Sequence, residues 1–168
     1  SIYFSDKNKS EYNKFRDNAE YVYRELFNFP KEMFKDKKLL DFGGGTGEQT
    51  VYLTNWGAHI THVEMNNLAI SIAKKVFKKH GSNIDTHKFI NSSIFDFKTT
   101  KKFDIVHSRG VFSHTYYKER AFNKLASYLK PGGYLIFGDP NKIGGFQNML
   151  QRFIVYSLGK SRDHMEEI

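Results

Sequence analysis

Leu39-Leu40-Asp41-Phe42-Gly43-Gly44-Gly45-Thr46-Gly47-Glu48 joins an apolar run to a carboxylate, then to a glycine-dense loop, then to the start of an amphipathic segment. Glycines at this spacing permit positive φ and let a ligand approach the main chain without meeting a Cβ. The helix start expected after them offers free N–H groups to an anion. A small cofactor is therefore expected at this turn. The competing reading is a purely structural strand-to-helix turn, against which stands the unfolded-state entropy of four glycines within five residues.

The spacing separates cofactor classes. A dinucleotide fingerprint needs glycines in the G-x-G-x-x-G frame, but counting from Gly43 the last position is Glu48, and counting from Gly44 the second is Thr46. The frame that fits is D-x-G-x-G-x-G, built from Asp41, Gly43, Gly45 and Gly47. It resembles the first motif of class I S-adenosylmethionine-dependent methyltransferases. That cofactor carries no diphosphate, and its amino-acid end is a small zwitterion. The resemblance implies backbone amides toward its carboxylate and Asp41 near its ammonium.

At 168 residues the chain fits one domain with a core of its own, and the absence of cysteine excludes disulfides, thiolate metal sites and cysteine nucleophiles. An intracellular, cytoplasmic setting is the simplest expectation. No stretch approaches the ~20 apolar residues of a membrane span, and the polar start Ser1-Ile2-Tyr3-Phe4-Ser5-Asp6 is not a secretory signal. The first residue is not Met, so an upstream targeting segment removed from the chain is compatible with it. The net charge of +8 is spread over scattered lysines. Such a field either concentrates an acidic substrate or nucleic acid or is a solvated lysine surface, and the scatter favours the latter.

Alternating strand and helix signals run through most of the chain. Residues 6–29 read as a helix, with Tyr12, Phe15, Ala19, Val22, Tyr23, Leu26 and Phe27 at helical spacing, ending near Pro30. Helices are expected at 48–56, 67–80 and 116–130, and strands at 39–41, 59–64, 86–90, 103–107 and 134–137, with Pro131-Gly132-Gly133 as a turn. The alternation predicts an α/β, Rossmann-like doubly wound sheet, mostly parallel, with helices on both faces. The expected organisation is a single domain over 1–168. It comprises an N-terminal helical cap (1–37), a core (38–139) and the start of a lid (140–168) with an apolar helix near 146–158. The family sheet normally has seven strands and five are counted here, so the chain is expected to be part of a longer polypeptide lacking the last two.

Ligands of open parallel sheets bind beyond the carboxyl ends of the strands, where the order reverses. Glu64 closes the second strand about 20 residues after the glycine loop, where a carboxylate can accept from both ribose hydroxyls. It matches the family's second motif. After the third strand comes Asn91-Ser92-Ser93-Ile94-Phe95-Asp96, at which the resemblance implies adenine contacts by Ser92, Ser93 and Ile94, with an ST-turn as the plain alternative. The usual Asp of that motif is replaced by Ser92. Phe103-Asp104-Ile105-Val106-His107-Ser108-Arg109 resembles the fourth motif, with Ser108 supporting the methionine moiety and Arg109 pairing with an acceptor anion or a surface acid. An N-terminal helix often covers the cleft in this family, so Tyr12 or Phe15 touching the cofactor is a further option.

The implied reaction is in-line displacement at the sulfonium methyl, with the nucleophile about 3 Å from carbon. His114, His107, Tyr116 and Tyr117 are the titratable groups expected near the mouth. His114 matches a histidine common in small-molecule members and is the candidate general base. The pairs His59/His62 and His107/His114 lack a carboxylate cluster at ligand spacing, so no metal site is expected. The reading is a methyltransferase that transfers a methyl group to an O, N or C nucleophile of a small molecule, an anionic one included. S-adenosylhomocysteine is its product. The rivals are an RNA methyltransferase, disfavoured by the absence of an N/D-P-P-Y/F tetrad, and a non-catalytic cofactor-binding domain of a larger assembly.

Overall fold

Leu39 and Leu40 are adjacent, both fully buried, and point to opposite faces of one strand. Leu39 packs in a cluster with Tyr23, Tyr52, Ile60, Phe77 and Ile105. Leu40 packs in another with Val63, Ile94, Val106 and Leu125. A strand that is apolar on both sides must be covered on both sides, the situation of a parallel sheet between helix layers.

The computed structural model describes residues 9–138, and this strand, β1 (Lys38–Phe42), lies at its centre. The others are β2 (His59–Glu64), β3 (Lys88–Asn91), β4 (Phe103–Arg109) and β5 (Leu129–Gly138). They form one sheet in the order β3-β2-β1-β4-β5, and every pair is parallel. The doubly wound fold expected from the sequence is present. Helix α1 (Lys9–Tyr21) runs into a wider turn, Val22–Leu26, and places Tyr12, Ala19 and Tyr23 in the first cluster. Helix α2 (Asn67–His80) adds Ile72, Val76 and Phe77 to the same face, while α3 (Lys118–Ser127) covers the other with Ala121 and Leu125.

Two expected elements differ. Residues 48–56 form turns and then a short 3₁₀ segment, Val51–Trp56, instead of an α-helix. Val51, Tyr52, Leu53, Thr54 and Trp56 are buried and Asn55 alone is exposed, so the segment is embedded rather than laid on the surface. Gly57, at φ +92°, ends it. The Pro131-Gly132-Gly133 turn lies inside β5: two steps along β4 (Phe103 to Ile105) oppose five along β5 (Leu129 to Tyr134). The surplus bulges out with Gly132 at φ +75°.

The described residues all fall within one compact unit. The expected lid and the helix near 146–158 lie outside the described residues.

Candidate active site

The chain leaves β1 toward β2 and β3 on one side and later returns to build β4 and β5 on the other, so the order reverses between β1 and β4. Beyond the carboxyl ends of these strands lies a cleft of about 490 Å³, within the ~300–1,000 Å³ of small-molecule sites. Phe42 and Gly43 follow from β1, Glu64 and Met65 from β2, Ser92 to Phe95 from β3, and Gly110, Val111, His114 and Thr115 from β4. Its walls are mainly apolar, and Glu64 is the one carboxylate among them.

The glycine loop is shaped more by the protein packed on it than by open space. Gly43 has φ +67°, and a Cβ there would fall 2.1 Å from Val111 Cγ2, so the β1 and β4 loops meet through this missing side chain. At Gly44 a Cβ would fall 2.1 Å from Asp41 Oδ2, and Gly47 packs on Phe77. Gly45 differs: with φ +54° it has nothing within 4 Å of a built Cβ. Its N–H donates to Glu64 Oε2 at 3.0 Å, and Glu64 Oε1 accepts from Asn66 N at 2.9 Å. Two main-chain amides thus aim the carboxylate and still leave a lone pair on each oxygen for a ligand.

The methyltransferase-domain family profile matches residues 12–165, nearly the whole chain. The chain belongs to the methyltransferase-domain family. It is 31% identical over 108 residues to the ubiquinone biosynthesis O-methyltransferase of Coxiella burnetii (64% of this chain, 45% of the relative). It is 29% identical over 99 residues to malonyl-[acyl-carrier protein] O-methyltransferase 2 of Ilyobacter polytropus (59% and 38%). The chain therefore spans less than half the length of these curated relatives. Among solved structures, magnesium protoporphyrin IX methyltransferase from Synechocystis PCC 6803, with S-adenosylhomocysteine bound, shares the fold with a TM-score of 0.63. That match has 14% identity over 86% of this chain and 63% of that one.

Within this methyltransferase domain, Gly43, Glu64, Ser92, Ser93, Ile94 and His114 line the cleft. Ser93 exchanges hydrogen bonds with Asp96, giving the ST-turn weighed above, while the Ile94 side chain is buried against the second core cluster and forms cleft floor. His114 sits in a 3₁₀ turn, Phe112–His114, with its side chain exposed. Among the described residues no group of three His, Asp or Glu is arranged to hold a metal ion.

Other expected residues lie elsewhere. Asp41 is 1% exposed and points under the loop rather than into the cleft. The register explains why: Asp41 pairs with His62 of β2 and His107 of β4, so three polar side chains stand side by side on one face. His107 Nδ1 donates to Asp41 Oδ1 at 2.9 Å, and Thr50 Oγ1 donates to Asp41 Oδ2 at 2.8 Å. His62 faces acceptors on both sides, Asp41 Oδ2 at 3.2 Å and Gly45 O at 3.1 Å, so each ring nitrogen needs a proton for both bonds to form. Burial pushes the Asp41 carboxyl up, but the hydrogen bonds from His107 and His62 outweigh it and hold the group well below the usual carboxylate range. Tyr23 Oη stands 2.6 Å from His107 Nε2, and burial pushes its phenol up to about 12, so it stays protonated and donates.

His107 is thus a buried strut rather than a group at the mouth, and it ties β4 to the N-terminal helical segment. Ser108 is fully buried, and its hydroxyl donates to Phe42 O at 3.0 Å, joining β4 to β1. It is not among the residues lining the cleft. Arg109 Nη1 donates to Gln49 Oε1 at 2.9 Å, neither to an acid nor into the cleft. Tyr12 stacks on His80 with ring centroids 3.8 Å apart, and Tyr12 and Phe15 belong with the core away from the cleft lining. Thr50, His62 and His107 as partners of Asp41 were not singled out in the sequence, because strand register sets the two histidines opposite it and the turn after the glycine loop brings Thr50 back to it.

Proposed function

We propose that this methyltransferase domain binds S-adenosylmethionine in the β1/β4 cleft and transfers its methyl group to an O, N or C nucleophile of a small molecule. The observation that carries the reading is the pairing of Gly45 N with Glu64 Oε2 at 3.0 Å, which fixes the glycine loop against the one acid of the cleft. The residues fit the group. Glu64 accepts from the ribose hydroxyls, Ser92, Ser93 and Ile94 take the adenine, and the turn at Gly43, Gly45 and Gly47 receives the methionyl end. Asp41 and Ser108 act on it through the backbone they hold. When bound, S-adenosylmethionine supplies an electrophilic methyl on a sulfonium.

The chain's own part is placement and, for acceptors that need it, removal of a proton by His114 at the cleft wall. Oxygen acceptors are the first to test, since both curated relatives are named O-methyltransferases. An anionic acceptor would have to draw Arg109, next to the cleft residue Gly110, away from Gln49 Oε1 to gain a counter-charge. A cytoplasmic setting accords with the cysteine-free composition, and no helix among the described residues is long and apolar enough to cross a membrane.

Calorimetry with S-adenosylmethionine, S-adenosylhomocysteine and NAD tests the cofactor: the first two bind and NAD does not. Glu64→Ala is expected to weaken S-adenosylmethionine by roughly 1.5–3 kcal/mol through lost charge-assisted hydrogen bonds. An unchanged affinity in that variant overturns the site. Binding without turnover on any acceptor would favour the non-catalytic reading, and retention on RNA that falls steeply with salt the RNA one.

A further inference from the structure

Parallel strands begin at one edge of the sheet, so the residues that open them assemble there, at the opposite end from the cofactor cleft. Lys38 opens β1, His59 opens β2 opposite it, Lys88 opens β3, and Lys101 and Lys102 immediately precede β4. With Thr61, Thr86 and Phe103 they line a second cleft of about 550 Å³. No Asp or Glu lines it. Among the described residues, Lys38, Lys88 and Lys101 enter none of the ion pairs. Asp104, the next residue along β4, is committed elsewhere: one oxygen to Lys130 Nζ at 2.7 Å and the other to the main-chain N–H of Lys38 at 2.8 Å.

Lys38, Lys88 and Lys101 crowd one another, while Lys102 Nζ donates to Ser127 O. Lys88 beside Lys101 holds the Lys101 ammonium below its ordinary lysine value by like charge, and Lys38 adds to the effect. An anion between them turns this mutual repulsion into attraction. Ammonium groups are compact, hydrated point charges suited to phosphate oxygens, and Thr61 contributes a hydroxyl donor. The aromatic residue of the cleft, Phe103, is 4% exposed and offers no platform on which a nucleobase could stack. A compact ligand suits this site better than a single strand of nucleic acid.

We infer that the Lys38–Lys88–Lys101–Lys102 cleft binds a compact oligophosphate, the di- or triphosphate group of a small molecule, at a site remote from methyl transfer. The probe is sodium tripolyphosphate, titrated into the 168-residue chain by calorimetry at low and moderate salt. One saturable site is expected, with affinity falling as salt rises. The double variant Lys88→Gln, Lys101→Gln removes two exposed charges and is expected to weaken binding about tenfold or more through two lost charge-assisted contacts. Its circular dichroism and S-adenosylmethionine affinity should match the parent. Equal binding by parent and variant overturns the inference, as does tighter binding of an oligonucleotide of matched charge. Loss of cofactor binding elsewhere in the molecule would leave the tripolyphosphate result unchanged, so the two sites fail separately.

Discussion

Gly43 and Glu64 show how differently two residues of one motif set can act. Glu64 faces the cleft with its carboxylate aimed by two amides, so its substitution is read in affinity. Gly43 carries its constraint in the protein itself, because Val111 occupies the space of its absent side chain. Gly43→Val is therefore expected to push the 110–115 segment away from β1 as well as to strain a positive-φ position, at a cost of roughly 1–3 kcal/mol in stability. Cofactor binding should be lost while the far-UV spectrum keeps its α/β shape. A variant with parental melting temperature and parental S-adenosylmethionine affinity would contradict the contact. Gly45 tolerates a Cβ in space but not in φ, so Gly45→Ala should be the milder of the two changes.

Helix α2 links the acid to the fold. Asn66 caps it, its side-chain oxygen accepting from Leu68 N at 2.9 Å and Ala69 N at 3.2 Å, while its own N–H holds Glu64. Asn66→Ala removes the cap and keeps the main-chain donor. It should cost about 1 kcal/mol of stability in a denaturant titration and leave cofactor affinity near the parent value. A large loss of affinity with little loss of stability would mean that the side chain, not the amide, serves the site. This helix was legible in the sequence because its apolar residues recur at helical spacing up to Gly81. Residues 48–56 were not, since a segment buried at nearly every position from Thr50 to Trp56 carries little amphipathic period and its apolar residues fit a 3₁₀ turn as well as a helix. The β5 bulge was hidden for a related reason: Pro-Gly-Gly signals a turn, and strand pairing with Phe103 at Leu129 absorbed it.

Across the whole molecule, Asp41 joins three strands, the glycine loop and, through His107, the N-terminal helical segment. Its folded carboxyl titrates below its unfolded counterpart, so the stabilisation it gives is present above the unfolded value of ~3.9 and is lost as pH falls below it. Acid unfolding should accordingly steepen below about pH 4. Asp41→Asn is expected to lower stability at neutral pH and to flatten that acid limb, as followed by tryptophan fluorescence of Trp56. An acid limb identical to the parent's would remove Asp41 from this role.

The sequence by itself determined the fold class, the order of its elements and the location of the cleft. Glycine spacing, strand-end acids and alternating periodicities are local signals, and local chemistry is enough to read them. Which polar residues face a ligand and which hold the scaffold was decided only by the tertiary structure. Asp41 and Ser108 turned inward because the register of β1 with β2 and β4 sets His62, His107 and Phe42 O within hydrogen-bonding reach of them. The lysine cleft likewise exists only once parallel pairing brings the starts of separate strands to one edge. Register is a long-range property, fixed by the packing of whole faces, and no window of sequence contains it.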